Sequence, residues 1–292
     1  MQIRDYLNQL AAGFESAGLE FAHGTDNPLD EACFLVFSTL GLDYEGDETQ
    51  LDRDLTGTEL QLLESRARQR IEQRIPVAYL IGEAWFAGHR FFIDRRALIP
   101  RSPIGELIQR RFEPLLDRTP AKILDLGAGS GCIGIACALE FPAAEVDLSD
   151  ISTAALDLAL TNVQRYGLES RVRLIHSDLF ASLPFRYDLI VSNPPYVPDF
   201  VVAGLPAEFN HEPLLGLQSP GQGLAIPLQI LAEAADHLDE EGVLIMEVGC
   251  SAEALQERLP AVPFLWLEFE HGGDGVLLLT AKQLAKYRAS FN

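Results

Sequence analysis

Positive charge is scarce in this chain: 22 lysines and arginines stand against 43 aspartates and glutamates in 292 residues, a formal charge of −21. Such a surface repels polyanions unless bases are gathered locally, which argues against broad binding to DNA, RNA or an acidic membrane. Cysteine is scarce as well. Cys33, Cys132, Cys137 and Cys250 form no C-x-x-C pair and keep no regular spacing, so no metal site and no disulfide framework is expected, and all four read as reduced core residues. The apolar stretch from Leu126 to Leu139 is glycine-broken and too short to span a bilayer, and Met1-Gln-Ile-Arg-Asp lacks the apolar region of a leader. The expectation is a cytoplasmic protein with no membrane partner.

The acidity is uneven. Residues 1–60 hold thirteen acids against Arg4 and Arg53, which favours a basic macromolecular partner for this end of the chain, although acidity can also serve solubility alone. Ile3, Tyr6, Leu7, Leu10 and Phe14 fall on one face of a helix, and Asp26-Asn27-Pro28 caps a second that runs to about Leu40. Thr58 with Gln61 has the form of a capping box for a third, whose apolar face continues through Leu62, Leu63, Ala67, Ile71 and Ile75 to Pro76. Residues 1–76 thus read as a small acidic helical domain that binds substrate. On its third helix the run Arg66, Arg68, Arg70, Arg74 is expected to spread over a solvated face, with RNA contact the lesser alternative. Residues 77–98, with aromatics on both sides of Ala87-Gly88, read as a β-hairpin linker. Arg101-Ser102-Pro103 offers a cap for a helix to about Leu116.

From 121 onward β-rich runs alternate with helical ones, the pattern of βαβ units on a parallel sheet. Strands are predicted at 121–126, 144–149, 172–176, 187–192, 243–248, 264–269 and 275–280, and helices at 131–140, 152–166, 224–239 and 251–259. No helix fits between the last two strands, so an antiparallel final strand is expected. The fold class is α/β, a Rossmann-like seven-stranded sheet over residues 99–292.

Asp125-Leu126-Gly127-Ala128-Gly129-Ser130-Gly131 follows the first strand of this sheet and opens a helix, where glycines let a ligand approach the backbone. Gly129 to Gly134 also spells G-x-G-x-x-G, and Asp150 ends the next strand, so nicotinamide and S-adenosylmethionine both fit. Asp150 suits ribose hydroxyls, or else caps the helix near Ser152. Asp178 suits an adenine edge, or is a turn acid. Asn193-Pro194-Pro195-Tyr196 after the fourth strand decides between cofactors, since hydride transfer has no need of it. A planar amino or amide nitrogen is a poor nucleophile and must be held and aimed. The Asn193 side-chain oxygen and the Pro194 carbonyl are two acceptors for its N–H groups, Pro195 fixes the direction of that carbonyl, and Tyr196 can stack on the amide plane.

With these motifs in hand, the whole chain resembles the HemK-type protein-glutamine methyltransferases. Ile99-Pro100-Arg101-Ser102-Pro103-Ile104-Gly105-Glu106-Leu107-Ile108 is similar to their PrmB branch, where release-factor enzymes carry Pro-Arg-Pro-Asp-Thr-Glu. Asn210-His211-Glu212-Pro213 and Gly272-Gly273-Asp274-Gly275 fit that branch too, except that Asn210 stands where Arg is expected. The resemblance implies a class I S-adenosylmethionine-dependent methyltransferase that methylates a glutamine N5 of ribosomal protein L-three and leaves S-adenosylhomocysteine. It implies catalysis by Asn193, Pro194 and Tyr196, cofactor contacts from Asp125, Gly127, Gly129, Gly131, Asp150, Asp178, Asn193 and Arg101, and substrate contacts from Asn193, Pro194, Pro195, Tyr196 and Glu212. Arg101 and Glu106 suit the methionine moiety, and Glu212 follows an insertion, 197–223, that could form a lid. Competing expectations are a release-factor glutamine methyltransferase, a DNA adenine amino-methyltransferase, which the net charge disfavours, and a non-catalytic ribosome-assembly factor, against which the intact Asn193 and Tyr196 argue.

Overall fold

The computed structural model describes residues 1–291. Helices Ile3–Ser16, Pro28–Leu40 and Gly57–Gln73 close on a core of Ile3, Phe14, Leu35 and Leu63, none of which reaches solvent. Asn27 caps the second helix by accepting from the Asp30 N–H at 2.9 Å, with Pro28 following at a position whose missing donor costs nothing. The capping box of the third helix lies two residues before the expected one. Thr56 and Glu59 form it, because Glu59 also accepts from Arg53 at 2.7 Å, and Leu62 is exposed. Arg70 departs furthest from expectation: it is fully buried, and Arg66 donates to Thr39 Oγ1, so the arginine run is not a solvated stripe.

A short helix, Val77–Ile81, leads into a hairpin of β1 (Glu83–Phe86) and β2 (His89–Phe92). Its two turn residues, Ala87 and Gly88, both take positive φ, +48° and +80°, matching the twist of a two-residue hairpin. Asn162 receives this hairpin: its Oδ1 accepts from Phe92 N–H at 2.7 Å, while its amide donates to the carbonyls of Phe92 and Ser130 at 3.0 and 2.9 Å. One side chain thereby joins hairpin to glycine loop. The helix expected to reach Leu116 spans only Ile104–Gln109, since Arg111 and Phe112 take positive φ, yet Phe112 still buries itself in the core.

The large sheet comprises β3 (Lys122–Leu126), β4 (Glu145–Asp150), β5 (Val172–His176), β6 (Tyr187–Ser192), β7 (Leu238–Glu247), β8 (Leu265–Trp266) and β9 (Val276–Thr280). Their order is β5-β4-β3-β6-β7-β9-β8, with β9 antiparallel to both neighbours and all other pairings parallel. β7 begins five residues earlier than expected and shortens the helix before it, which covers Ala225–Glu233. The expected strand 264–269 shortens to Leu265–Trp266, with one further bond from Leu267 N–H to the Val276 carbonyl at 2.9 Å. The chain leaves β3 toward β4 on one side and later returns to β6 on the other, so a crevice opens at the carboxyl ends of these strands.

Cys132 and Cys137 are buried and Cys33 half-buried, but Cys250 is exposed, against expectation. Among the described residues no helix is long and apolar enough to cross a membrane.

Candidate active site

A cleft of about 380 Å³ occupies that crevice, and Gly127, Gly129, Asp150, Asp178 and Asn193 to Tyr196 all line it. After β3 the N–H groups of Gly127 and Ala128 both donate to the Ser149 carbonyl at 2.8 and 2.9 Å, which folds the loop back over β4. Gly127 and Gly129 need positive φ, +76° and +56°, and a Cβ on Gly127 would meet nothing within 4 Å, so its backbone face is open to a ligand. Gly131 serves packing instead. A Cβ there would stand 3.0 to 3.2 Å from Leu148, Ile135 and Ala159.

Asp150 ends β4 with each carboxylate oxygen taking one backbone donor, Gly129 N–H and Ser152 N–H, both at 2.8 Å. Ser152, and not Asp150, caps the following helix by accepting from Ala155 N–H. Asp150 therefore holds the glycine loop to β4 and lines the cleft. Burial raises its pKa against those two N–H groups. Asp178, after β5, is exposed on the cleft wall.

Asp125 is placed differently. It lies beneath the loop, 1 % exposed, with Oδ2 accepting from Gly134 N–H at 2.7 Å and Oδ1 buried without a partner. Burial, against that hydrogen bond and with the Asp150 charge adding, lifts its pKa to about 7. It supports the loop from below and is not among the residues that line the cleft. Glu106 likewise turns away, accepting from the backbone N–H groups of Glu270 and His271.

At the end of β6, Ser192 Oγ donates to the Leu126 carbonyl at 2.7 Å, which brings Asn193-Pro194-Pro195-Tyr196 beside the glycine loop. The Tyr196 hydroxyl donates to Glu247 Oε1 at 2.7 Å, its carbonyl accepts from Ser251 Oγ at 2.7 Å, and its ring lies over Gly249, where a Cβ would come within 2.6 Å. Burial and the neighbouring Glu247 carboxylate raise the phenol's pKa and keep it neutral. Ser102, expected only as part of a helix cap, and Glu247, for which the sequence suggested no role, both line the cleft. The available signal was one acid directly after the apolar run Val243-Leu244-Ile245-Met246.

Arg101 lines the cleft, but its guanidinium is committed to Glu212, Nη1 to Oε1 at 2.6 Å and Nη2 to Oε2 at 2.9 Å. Glu212 is no free acid on a lid. Its carboxylate is fully buried, also accepts from Ile99 N–H at 3.0 Å and lies 3.5 Å from His23 Nε2. Burial would raise its pKa, yet His23 and Arg101 hold it down to about 2. The segment that carries it is strapped to the N-terminal helices. Arg70 donates to Glu208 at 3.0 Å and to Glu31 at 3.1 Å, Arg74 reaches Glu208 at 3.5 Å, and His211 meets the Gln73 carbonyl at 2.8 Å. Phe209, between these anchors, forms part of the cleft wall.

A methyltransferase small domain model matches residues 110–204, the span from before β3 to beyond the Asn-Pro-Pro-Tyr motif. The ribosomal protein uL3 glutamine methyltransferase of Francisella tularensis is 43 % identical over 99 % of this chain and 93 % of its own length. Its counterpart in Xylella fastidiosa is 48 % identical over 97 % of this chain and 91 % of its own. Among solved structures, the catalytic domain of hMettl16 in complex with a MAT2A 3′UTR hairpin superposes with a TM-score of 0.51 over 82 % of this chain and 86 % of that one, at 16 % identity, a likeness of fold alone. Similarity of this depth over nearly the full length makes the chain a member of the ribosomal protein uL3 glutamine methyltransferase family.

Proposed function

We propose that this cleft transfers a methyl group from S-adenosylmethionine to the side-chain amide nitrogen of a glutamine in ribosomal protein L-three, the substrate that its relatives' names carry. The observation that carries the reading is the meeting of two loops in one cleft: an open-faced glycine turn tethered to Asp150, and Asn193-Pro194-Pro195-Tyr196. Gly127, Gly129, Asp150 and Asp178 fit a nucleoside with two hydroxyls and an adenine edge. The bound cofactor supplies an electrophilic methyl carbon on a sulfonium, which leaves as a neutral thioether.

The chain's own residues do the rest by positioning. Asn193 Oδ1 and the Pro194 carbonyl accept the two amide N–H groups, which orients the nitrogen and favours density on it as the new N–C bond forms and one N–H proton passes to solvent. Tyr196, neutral and clamped, offers a flat face to the amide plane. No acid or base is required of it. The acidic N-terminal helices attract a basic protein at long range, and a ribosomal substrate puts the reaction in the cytoplasm.

The test is a competition in which the purified protein and methyl-labelled S-adenosylmethionine meet free L-three, a peptide-chain release factor and unmethylated DNA together. Peptide mass spectrometry should find label on a glutamine of L-three. Label on the release factor would overturn the substrate, and label only in DNA would overturn the nitrogen class.

A further inference from the structure

Glu247 closes β7 at the floor of the cleft, 6 % exposed, with no role in the chemistry set out above. Its two oxygens take two hydroxyl donors, Ser102 Oγ on Oε2 at 2.5 Å and Tyr196 OH on Oε1 at 2.7 Å. No ion pair among the described residues includes it, and burial raises its pKa in spite of both hydrogen bonds and the more distant Arg101 charge. A carboxylate withdrawn from water and met by hydroxyls alone is a costly thing to keep in a core, and an apolar residue of similar size would fold more cheaply. Groups kept at such cost cluster where function needs them.

What Glu247 fixes is Tyr196. Ser251 Oγ donates to the Tyr196 carbonyl, and Gly223 passes so close that a Cβ would stand 2.1 Å from that same oxygen. The backbone of the motif is thus pinned at one end, and Gly249 leaves room for the ring against β7. The ring's remaining freedom is rotation about its own side-chain bonds, which the hydrogen bond to Oε1 removes.

We propose that Glu247 is a positioning residue for methyl transfer: by accepting from Tyr196 and Ser102 it locks the Tyr196 ring at the angle that keeps the target amide between the Asn193 and Pro194 acceptors and the methyl donor. The inference rests on the reading that Asn193 and Tyr196 hold that amide. Its reach is geometric, since a misplacement of about 1 Å at a reacting centre costs on the order of 100-fold in rate.

The experiment is a double-mutant cycle on the full chain, with kcat, KM for the protein substrate, S-adenosylmethionine affinity and Tm read for Glu247→Ala, Glu247→Gln, Tyr196→Phe and Glu247→Ala with Tyr196→Phe. Glu247→Ala should lower kcat roughly 10- to 100-fold and leave cofactor affinity within about threefold. Glu247→Gln should stay within about fivefold of the parent, because its amide oxygen accepts from Tyr196 and its nitrogen donates to Ser102. The double variant should be no slower than the worse single one, the mark of two groups acting as one unit. Additive losses, or parental kcat in Glu247→Ala, would overturn the proposal. Should Glu247→Ala fail to fold, Glu247→Gln with and without Tyr196→Phe completes the cycle, and a loss with Gln as deep as that of Tyr196→Phe overturns it. Parental turnover in both Tyr196→Phe and Asn193→Ala would instead refute the reading of the motif itself.

Discussion

Replacing Arg101 by methionine leaves a carboxylate buried among apolar groups with its strongest partner gone. Glu212 keeps only Ile99 N–H at 3.0 Å and His23 at 3.5 Å, and its side chain has no exposure to water. Breaking a buried pair from one side costs about 3–5 kcal/mol, most of it the stranded charge. Unfolding entropy of about 2.1 cal/mol/K per residue amounts to roughly 0.6 kcal/mol/K for a chain of this length, so Tm should fall by about 5–8 °C at neutral pH. The pH dependence carries a definite sign. The Glu212 pKa is held at about 2, below its ordinary 4.5, so the pair's stabilisation is complete above 4.5 and fades as pH falls toward 2. In Arg101→Met the same carboxyl titrates higher and escapes its penalty by taking up a proton, so the deficit against the parent narrows as pH drops through about 5. Differential scanning calorimetry of both proteins over this range decides the matter. A deficit under about 2 °C at neutral pH, or one that does not change between neutral and mildly acidic pH, refutes the reasoning.

Asn193→Ala should keep Tm and S-adenosylmethionine affinity near parental values while kcat falls on the order of 100-fold, read by single-turnover methyl transfer, because the lost acceptor faces the amide and not the cofactor. Gly134→Ala drives a Cβ to 2.2 Å from Leu148 Cδ2 and 2.8 Å from Asp125 Cβ, and denaturant titration should register about 1–3 kcal/mol of lost stability. Asp125 has its pKa raised to about 7, so its folded-state benefit is whole below 3.8 and is lost as pH rises through 7. Asp125→Asn should flatten the fall in stability that the parent shows between about pH 4 and 7. Raising salt from low to physiological strength should raise KM for the basic protein substrate several-fold with kcat unchanged, since screening weakens attraction to the acidic N-terminal helices.

The sheet was legible from hydrophobic period and turn chemistry, and its strands from β3 to β6 fall within a residue of expectation. Boundaries failed where tertiary contacts overruled local signals. The helix predicted at 224–239 runs through Leu238, but Leu238 pairs with Tyr187 across a register shift, so β7 begins there. Thr56 and Thr58 both begin capping-box patterns two residues apart, and Arg53 settles the choice by binding Glu59. The cleft's glycines and Asn-Pro-Pro-Tyr motif are contiguous and could be read directly. Its supports could not: Arg101 and Glu212 are 111 residues apart, Ser102 and Glu247 145, and Arg70 and Glu208 138. Distances of that kind belong to the fold, and a lone Arg or Glu carries no sign of the partner it will meet.

The buried straps across Glu208, His211 and Glu212 bear on modularity. Cutting the chain at residue 76 would strip Glu208 of Arg70 and Arg74 and remove His23 from Glu212, leaving Glu208 without a cation and Glu212 with Arg101 alone beside the wall that Phe209 contributes to the cleft. The catalytic half is therefore not portable. Grafting a different recognition domain onto it would require the graft to bring its own buried cations to the same places, and changes to these paired charges on either side should be tolerated only in concert.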